Sequence, residues 1–328
     1  MINTPLTRRA VLLGSLLMGL GVNAFAAPNN WPDRPIRLVV AGSAGAGGDI
    51  FARLIAVPLA KALNQPVVVE AKPGANGMIA CDTVAKAAAD GYTLLFAPSS
   101  AILLNPVVLP SIPYDTEKDL LPIAQVGAAG ILLMTNPKTG FKNLADMVAY
   151  AKANPGKLAY GSWGTGSSGN LAMEGIKAHY GLDMPHVPYK QLVTESTDLI
   201  ANNISVGFMD IASPIPYMRS GKLVALGQTG SRRWPASMDV PTLAEQGYAF
   251  EADGWYGVFA PAGTPPEIVD RVNAEIYRAQ HSPDVREKIE GQNMIVPADM
   301  SAKEFAASIK RDAVIWQDLA KVADLKNK

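Results

Sequence analysis

Three clusters of glycine and small hydroxyl residues carry most of the chemistry this chain can do. Gly42, Ser43, Ala44, Gly45, Ala46, Gly47, Gly48 and Asp49 form the first. Ser99, Ser100 and Asn105 mark the second, within residues 98–105. Residues 161–170 form the third, with Ser162, Trp163, Thr165, Gly166 and Ser167. Glycine lets a backbone approach a ligand closely and take positive φ angles. Where such a loop enters a helix, its unpaired N–H groups and the helix dipole favour a carboxylate. Hydroxyls donate to the same anion, and Trp163 offers a flat apolar wall. Asp210 closes a predicted strand, and beside an anion its charge is tolerable only if it orients N–H or hydroxyl groups. A loop-orienting or hinge role therefore suits Asp210, with a turn or cap role as the alternative.

The same residues are poorly furnished for bond breaking. A dinucleotide loop needs Gly-x-Gly-x-x-Gly, but the run from Gly45 ends in Ile50, and no Walker lysine follows. Gly166-Ser167-Ser168-Gly169-Asn170 approaches an esterase elbow but has Asn where the last glycine belongs. A serine hydrolase using Ser167 or Ser168 is the enzymatic alternative, although spacing reveals no histidine–acid partnership. The chain has 3 His and 1 Cys, too dispersed for a metal cluster, so no metal or cofactor is expected. Cys81 has no disulfide partner and falls in an apolar helical pattern, as a buried structural thiol does.

The elements that position these clusters alternate between strand and helix patterns. Residues 36–40, 67–70 and 92–96 read as strands, separated by a helix over 49–63 and a turn at 72–77 that opens a second helix. Ala75, Asn76 and Gly77 lie in that turn. Asp49 caps or charge-complements the first helix. After a proline-rich irregular stretch around 105–122, strands are expected near 131–134, 158–160, 206–210 and 223–227, with helices between them. An aromatic strand over 255–259 and three C-terminal helices complete the pattern. This order predicts an α/β fold of two lobes, each a mostly parallel sheet flanked by helices, with a ligand cleft between them. The expected lobes are 27–124 with 248–328, and 125–247.

The N-terminus reads as an export signal. Arg8 and Arg9 precede an apolar run and Ala24-Phe25-Ala26, so cleavage after residue 26 is expected, by a general or a twin-arginine route. The run is short for a membrane span. Removing the two arginines leaves 27 basic against 29 acidic side chains, with no basic stripe to follow a nucleic acid.

The ordered motifs resemble those of the Bug family, the TctC-like receptors of tripartite tricarboxylate transporters. They run from Trp31-Pro32-Asp33-Arg34-Pro35-Ile36 and the glycine loop ending at Asp49, through Lys72-Pro73-Gly74-Ala75-Asn76-Gly77 and Ala89-Asp90-Gly91-Tyr92-Thr93. His186-Val187-Pro188-Tyr189-Lys190 and Gly257-Val258-Phe259-Ala260-Pro261-Ala262-Gly263-Thr264-Pro265 follow. The resemblance covers nearly all of the chain after the signal. It implies a periplasmic solute receptor that closes on a small carboxylate and delivers it to an inner-membrane permease; since such closure needs no second subunit, a monomer is the simplest expectation. It also implies that one carboxylate is held by the first two strand-end loops, partly through water, here Ser43–Asp49 and Ala75–Gly77. Ser99 and Ser100 would line the cleft. Ser162, Thr165, Gly166 and Ser167 match the family's second-lobe loop, and Asp210 matches its acidic strand end.

Several positions depart from that pattern. Ala41-Gly42 replaces a Pro-aromatic pair, Ala44 a proline, Trp163 a small residue, and Gln191 and Thr194 a glycine and a proline. The expected ligand is thus a flat mono- or dicarboxylate, aromatic or aliphatic, rather than citrate. A protein-interaction module, binding partners without any small ligand, is the remaining alternative.

Overall fold

The computed structural model describes residues 31–109, 111–230, 232–250 and 252–322, and the segment expected to be an export signal, with Arg8 and Arg9, lies outside them. The chain first lays down β1 (Ile36–Val40), α1 (Gly47–Leu63), β2 (Val67–Ala71), α2 (Met78–Ala85) and β3 (Thr93–Pro98). Short helices α3 (Ser99–Leu103) and α4 (Asn105–Val108) lead to β4 (Leu120–Ala129). A second group follows: β5 (Leu132–Thr135), α5 (Leu144–Ala153), β6 (Tyr160–Ser162), α6 (Ser168–Tyr180), β7 (His186–Pro188), α7 (Leu192–Ala201), β8 (Val206–Met209), α8 (Ile215–Arg219) and β9 (Val224–Gln228). The chain then returns through β10 (Gly254–Pro261), α9 (Pro266–His281), α10 (Pro283–Gly291) and α11 (Ala302–Val322).

Two five-stranded sheets result, ordered β2-β1-β3-β10-β4 and β7-β6-β8-β5-β9. Both are mixed. Four strands of each run one way, while β10 and β5 lie antiparallel to both of their neighbours. The crossing explains the reversal. β4 ends at the same edge as β3, because both pair antiparallel with β10, and the chain enters the other sheet from that edge. Its first strand there, β5, must run away from the edge; β10 does the same on the way back.

The crossing segments differ from the sequence expectation of 125 and 248. The first sheet keeps the chain to Ala129, opposite Gly254, so the outward crossing is at 130–131 and β10 rejoins only at Gly254. Pro122 makes β4 look irregular in sequence, although it is a 10-residue strand that pairs with β10 through two register shifts. The crossings are bound to each other. Ile131 N–H donates to Thr229 Oγ1 at 2.8 Å, Thr229 N–H to Ile131 O at 2.9 Å, and Trp234 Nε1 to Thr229 O at 2.9 Å. A Cβ at Gly130 would stand 2.0 Å from Thr229 O, so only glycine fits there.

Parallel pairing sets the functional edge. Ile36 pairs with Val67 and Arg37 with Thr93, so β1, β2 and β3 end together and release their loops side by side. β6, β7 and β8 do likewise in the second sheet. β1 (IRLVV) and β2 (VVVEA) are rich in β-branched residues. α1 buries Phe51, Ile55 and Leu59 against β1 and β3. α11 touches both β4 and α6, so the C-terminal helix spans the two halves.

Candidate functional site

The strand-end loops of the two sheets face one another across a cleft that encloses a cavity of about 70 Å³. Its first-lobe wall is Ala41, Gly42, Ser43, Ala46 and Gly48, followed by Pro73, Gly74, Asn76 and Gly77, with Pro98 and Tyr256. Its second-lobe wall is Trp163, Lys190, Leu192 and Asp210. Three helices of eight or more residues begin at or beside this lining: α1 at Gly47, α2 at Met78 and α7 at Leu192. The first N–H groups of each lack intrahelical partners, and the summed dipoles place positive potential in the cleft. Lys190 is exposed at the mouth and makes no ion pair among the described residues.

The turn from Gly74 to Gly77 is held in an unusual conformation. Gly74, Ala75, Asn76 and Gly77 all have positive φ, at 119°, 46°, 48° and 81°. Left-handed backbone at Ala75 and Asn76 is costly and persists where surrounding contacts over-determine it. Asn76 supplies them. Its Nδ2 lies 2.9 Å from Asn105 Oδ1, 3.3 Å from Ser100 O and 3.2 Å from Gly166 O, while Oδ1 accepts from Ser100 Oγ at 3.3 Å. The contact with Gly166 crosses the cleft.

A second bond crosses it. Asp210, just beyond β8, accepts from Gly47 N–H at 2.7 Å through Oδ2 and from Ser213 N–H at 2.8 Å through Oδ1. Burial pushes the Asp210 carboxyl above its ordinary range, opposed by its bonds to Ser213 and to the Gly47 and Ala212 N–H groups. Asp49 is turned elsewhere: it accepts from Gly45 N–H at 2.9 Å and pairs with Arg53 at 2.9 Å. The helix begins at Gly47, so Asp49 complements its first turn without being the N-cap, and Ala46 holds that position with no side-chain cap bond.

A family model described as "Tripartite tricarboxylate transporter family receptor" matches residues 51–325. The chain belongs to this receptor family. BugT of Bordetella pertussis is 35% identical over 318 residues, covering 95% of this chain and 98% of that one. Among solved structures, MatC from Rhodopseudomonas palustris with bound malate is 29% identical with a TM-score of 0.83, covering 88% of this chain and 99% of that one. The R. palustris protein Rpa4515 with adipate is 30% identical with a TM-score of 0.86, covering 90% and 98%. No helix among the receptor's described residues is long and apolar enough to cross a membrane.

Of the residues singled out from sequence, Ser43, Gly48, Asn76, Gly77, Trp163 and Asp210 line the receptor's cleft. Gly47 meets it through the Asp210 bond. Ala44, Gly45, Ala75 and Thr165 are exposed on the loops, outside the lining. Ser99, Ser100, Ser162, Gly166 and Ser167 are buried behind it. Ser99 Oγ accepts from Trp255 N–H at 3.4 Å, and Ser100 backs Asn76. Ser167 caps α6, accepting from Asn170 N–H at 3.2 Å. Trp163 lines the cleft while its ring edge packs on Gly169, where a Cβ would stand 2.8 Å from Cζ3.

Sequence reasoning missed Lys190, Leu192 and Tyr256 as lining residues. Lys190 had a signal, a cation two residues before a helix. It also missed that Ser162 Oγ lies 2.8 Å from His186 Nε2, a nucleophile–base distance. That pair is assembled for structure: Ser162 is 0% exposed, His186 Nδ1 faces the Asn170 amide at 3.5 Å, and burial drives the imidazole down to about 4. The network continues through Asn170 and Tyr160 to Glu174 and Lys177, at 2.7, 2.6 and 2.7 Å. It fixes the loop bearing Trp163. The Cys81 thiol is buried and pushed up to about 12, mainly by desolvation, as expected of an inert packing residue.

Proposed function

We propose that this receptor captures a small carboxylate in the periplasm, between residues 36–129 with 254–322 on one side and 132–228 on the other, and passes it to a tripartite tricarboxylate-type permease of the inner membrane. The observation that carries this reading is the convergence of three helix starts and the unpaired Lys190 on one cleft. The malate of MatC and the adipate of Rpa4515 belong to the same chemical class. Ser43, Gly48, Asn76 and Gly77 hold one carboxylate, with Ala44, Gly45, Ala75 and Thr165 at the loop tips and Ser99, Ser100, Ser162, Gly166 and Ser167 supporting the walls.

The second end of the ligand meets Trp163, Leu192 and Lys190. An aromatic acid places its ring on Trp163, and a dicarboxylate places its second charge at Lys190. Asp210 acts as the latch between lobes, with Gly47 as its partner and Asp49 holding the loop behind it. Closure excludes water and strengthens every polar contact in the cleft. Reversible capture needs no covalent step and no cofactor, and one chain supplies both walls, so a monomer suffices.

A thermal-shift screen of the receptor, stripped of ligand, against mono-, di- and tricarboxylates tests the reading. Binding to the folded state alone raises the melting temperature by mass action. A selective, saturable rise with one acid class is expected. A flat response across the panel, with ligand-independent capture of a protein partner, would replace the receptor reading by an interaction module.

A further inference from the structure

Beneath the second-lobe wall lies a carboxyl group that ligand capture, as described, does not use. Glu195, in the first turn of α7, is 0% exposed, and neither of its carboxyl oxygens has a hydrogen-bond partner. Two glycines make room for it. A Cβ at Gly207 would stand 2.7 Å from Glu195 Oε1, and one at Gly161 would stand 2.9 Å away. Thus β6 and β8 are bare where this side chain enters.

Among the described residues around it, no cation balances it. On α7, Asp198 is bound to Tyr189 at 2.7 Å and to Asn203 at 3.0 Å. On β6, Tyr160 belongs to the Glu174 network. Beyond Gly207, β8 leads to Asp210, and Ser213 Oγ beside it is also buried without a partner. Across the cleft, α1 brings the Gly47 N–H, with Asp49 already neutralised by Arg53, and β10 brings Tyr256. Lys190 stands at the exposed mouth. An ionised carboxylate with no donor is far more costly to bury than the neutral acid.

We propose that Glu195 stays protonated at neutral pH and that this proton permits the cleft to close onto Asp210. The protonated pair presents one negative charge to the Gly47 N–H. An ionised Glu195 presents two, which repel each other and any ligand carboxylate in a water-poor site. Alkaline conditions therefore open the cleft. Burial, followed by the charge on Asp210, drives Glu195 well above its ordinary value, in keeping with this assignment. Glu195 is a positioning residue acting through Asp210. The inference rests on the receptor reading only for the use to which closure is put.

Two ligand-free measurements on the full chain test it, so their outcome is separate from that of the carboxylate screen. The first compares urea unfolding of wild type and Glu195→Gln between pH 5 and pH 9. A group whose folded value is raised contributes stability that is lost as pH rises toward that value. The wild-type unfolding constant should therefore increase relative to the variant by up to about tenfold per pH unit. Parallel curves would overturn the protonated state.

The second is small-angle scattering at pH 6 and pH 9. The wild-type radius of gyration should grow at the higher pH, while Glu195→Gln stays constant. A radius independent of pH in wild type, or an equal change in both proteins, would overturn the link to closure. Asp210→Asn, which removes the repelling charge, should reduce both effects; an undiminished response there would refute the role of the pair.

Discussion

Replacing Gly47 by alanine separates the stability of the receptor from its grip on ligand. Gly47 opens α1 with ordinary helical backbone, since it is absent from the residues of positive φ. Alanine is favoured over glycine in a helix by up to about 1 kcal/mol. In the closed arrangement, however, the new Cβ would stand 2.5 Å from Asp210 Oδ2, 3.0 Å from its Cγ and 3.2 Å from the Tyr256 hydroxyl. Asp210 must withdraw, and its 2.7 Å bond from Gly47 N–H is lost. A hydrogen bond to a charged group contributes about 1.5–3 kcal/mol. At about 1.4 kcal/mol per decade, affinity should fall roughly ten- to hundredfold. The ligand-free melting temperature should fall by no more than about 5 °C, because the helix gain of alanine offsets part of the lost bond and opening of the cleft relieves the clash. Calorimetric titration with the acid giving the largest thermal shift, alongside melts without ligand, reads both quantities. Unchanged affinity would refute the latch. A marked loss of ligand-free stability would show that Gly47 and Asp210 meet as part of the resting fold.

Two further perturbations probe the second-lobe wall. Trp163→Ala should weaken binding of aromatic carboxylates by about 0.5–1.5 kcal/mol and leave malate within twofold, as measured by the same titrations; equal losses for both acids would remove the stacking role. His186 is held neutral by burial at about 4, below its ordinary 6.5. Its contribution is present above about pH 6.5 and is lost as pH falls through about 4, so wild type should lose its advantage over His186→Gln across that range. A stability difference that stays constant from pH 7 to pH 4 would show that the imidazole is free to protonate in place.

The glycine loops and strand ends were legible because their signals are local. Gly42–Gly48 and Gly74–Gly77 announce backbone that must come close to something, and both line the cleft or its rim. Burial was not legible. Ser99, Ser100, Ser162 and Ser167 look from sequence like ligand-facing hydroxyls, yet the first three are turned into supporting networks by residues 24 or more positions away, and Ser167 caps its own helix. The Ser162–His186 pair depends on the parallel pairing of β6 with β7, which brings together residues 24 positions apart. Glu195 reads as an ordinary first-turn acid of a helix; only the bare glycines on two other strands make it a buried one. Lys190 was visible as a residue, but its freedom from ion pairs is a property of the assembled surface.

The reversed strand in each sheet was implicit in the order of elements and was overlooked. A chain that leaves one sheet at its cleft edge and enters the other at the same edge must begin there with a strand running away from the ligand. β5 and β10 are those strands. The consequence reaches function, because both crossings then lie at the cleft edges and are tied together by Ile131, Thr229 and Trp234. With Gly130 pressed against Thr229 O, that junction has no room to shear. In the proposed closure the two sheets would rotate about these joined crossings. Such a rotation would carry Asp210 toward Gly47 and Gly166 toward Asn76 together, since both bonds span the same cleft. A ligand that bridges the walls is rewarded by both, and a solute too short to touch the second lobe gains neither.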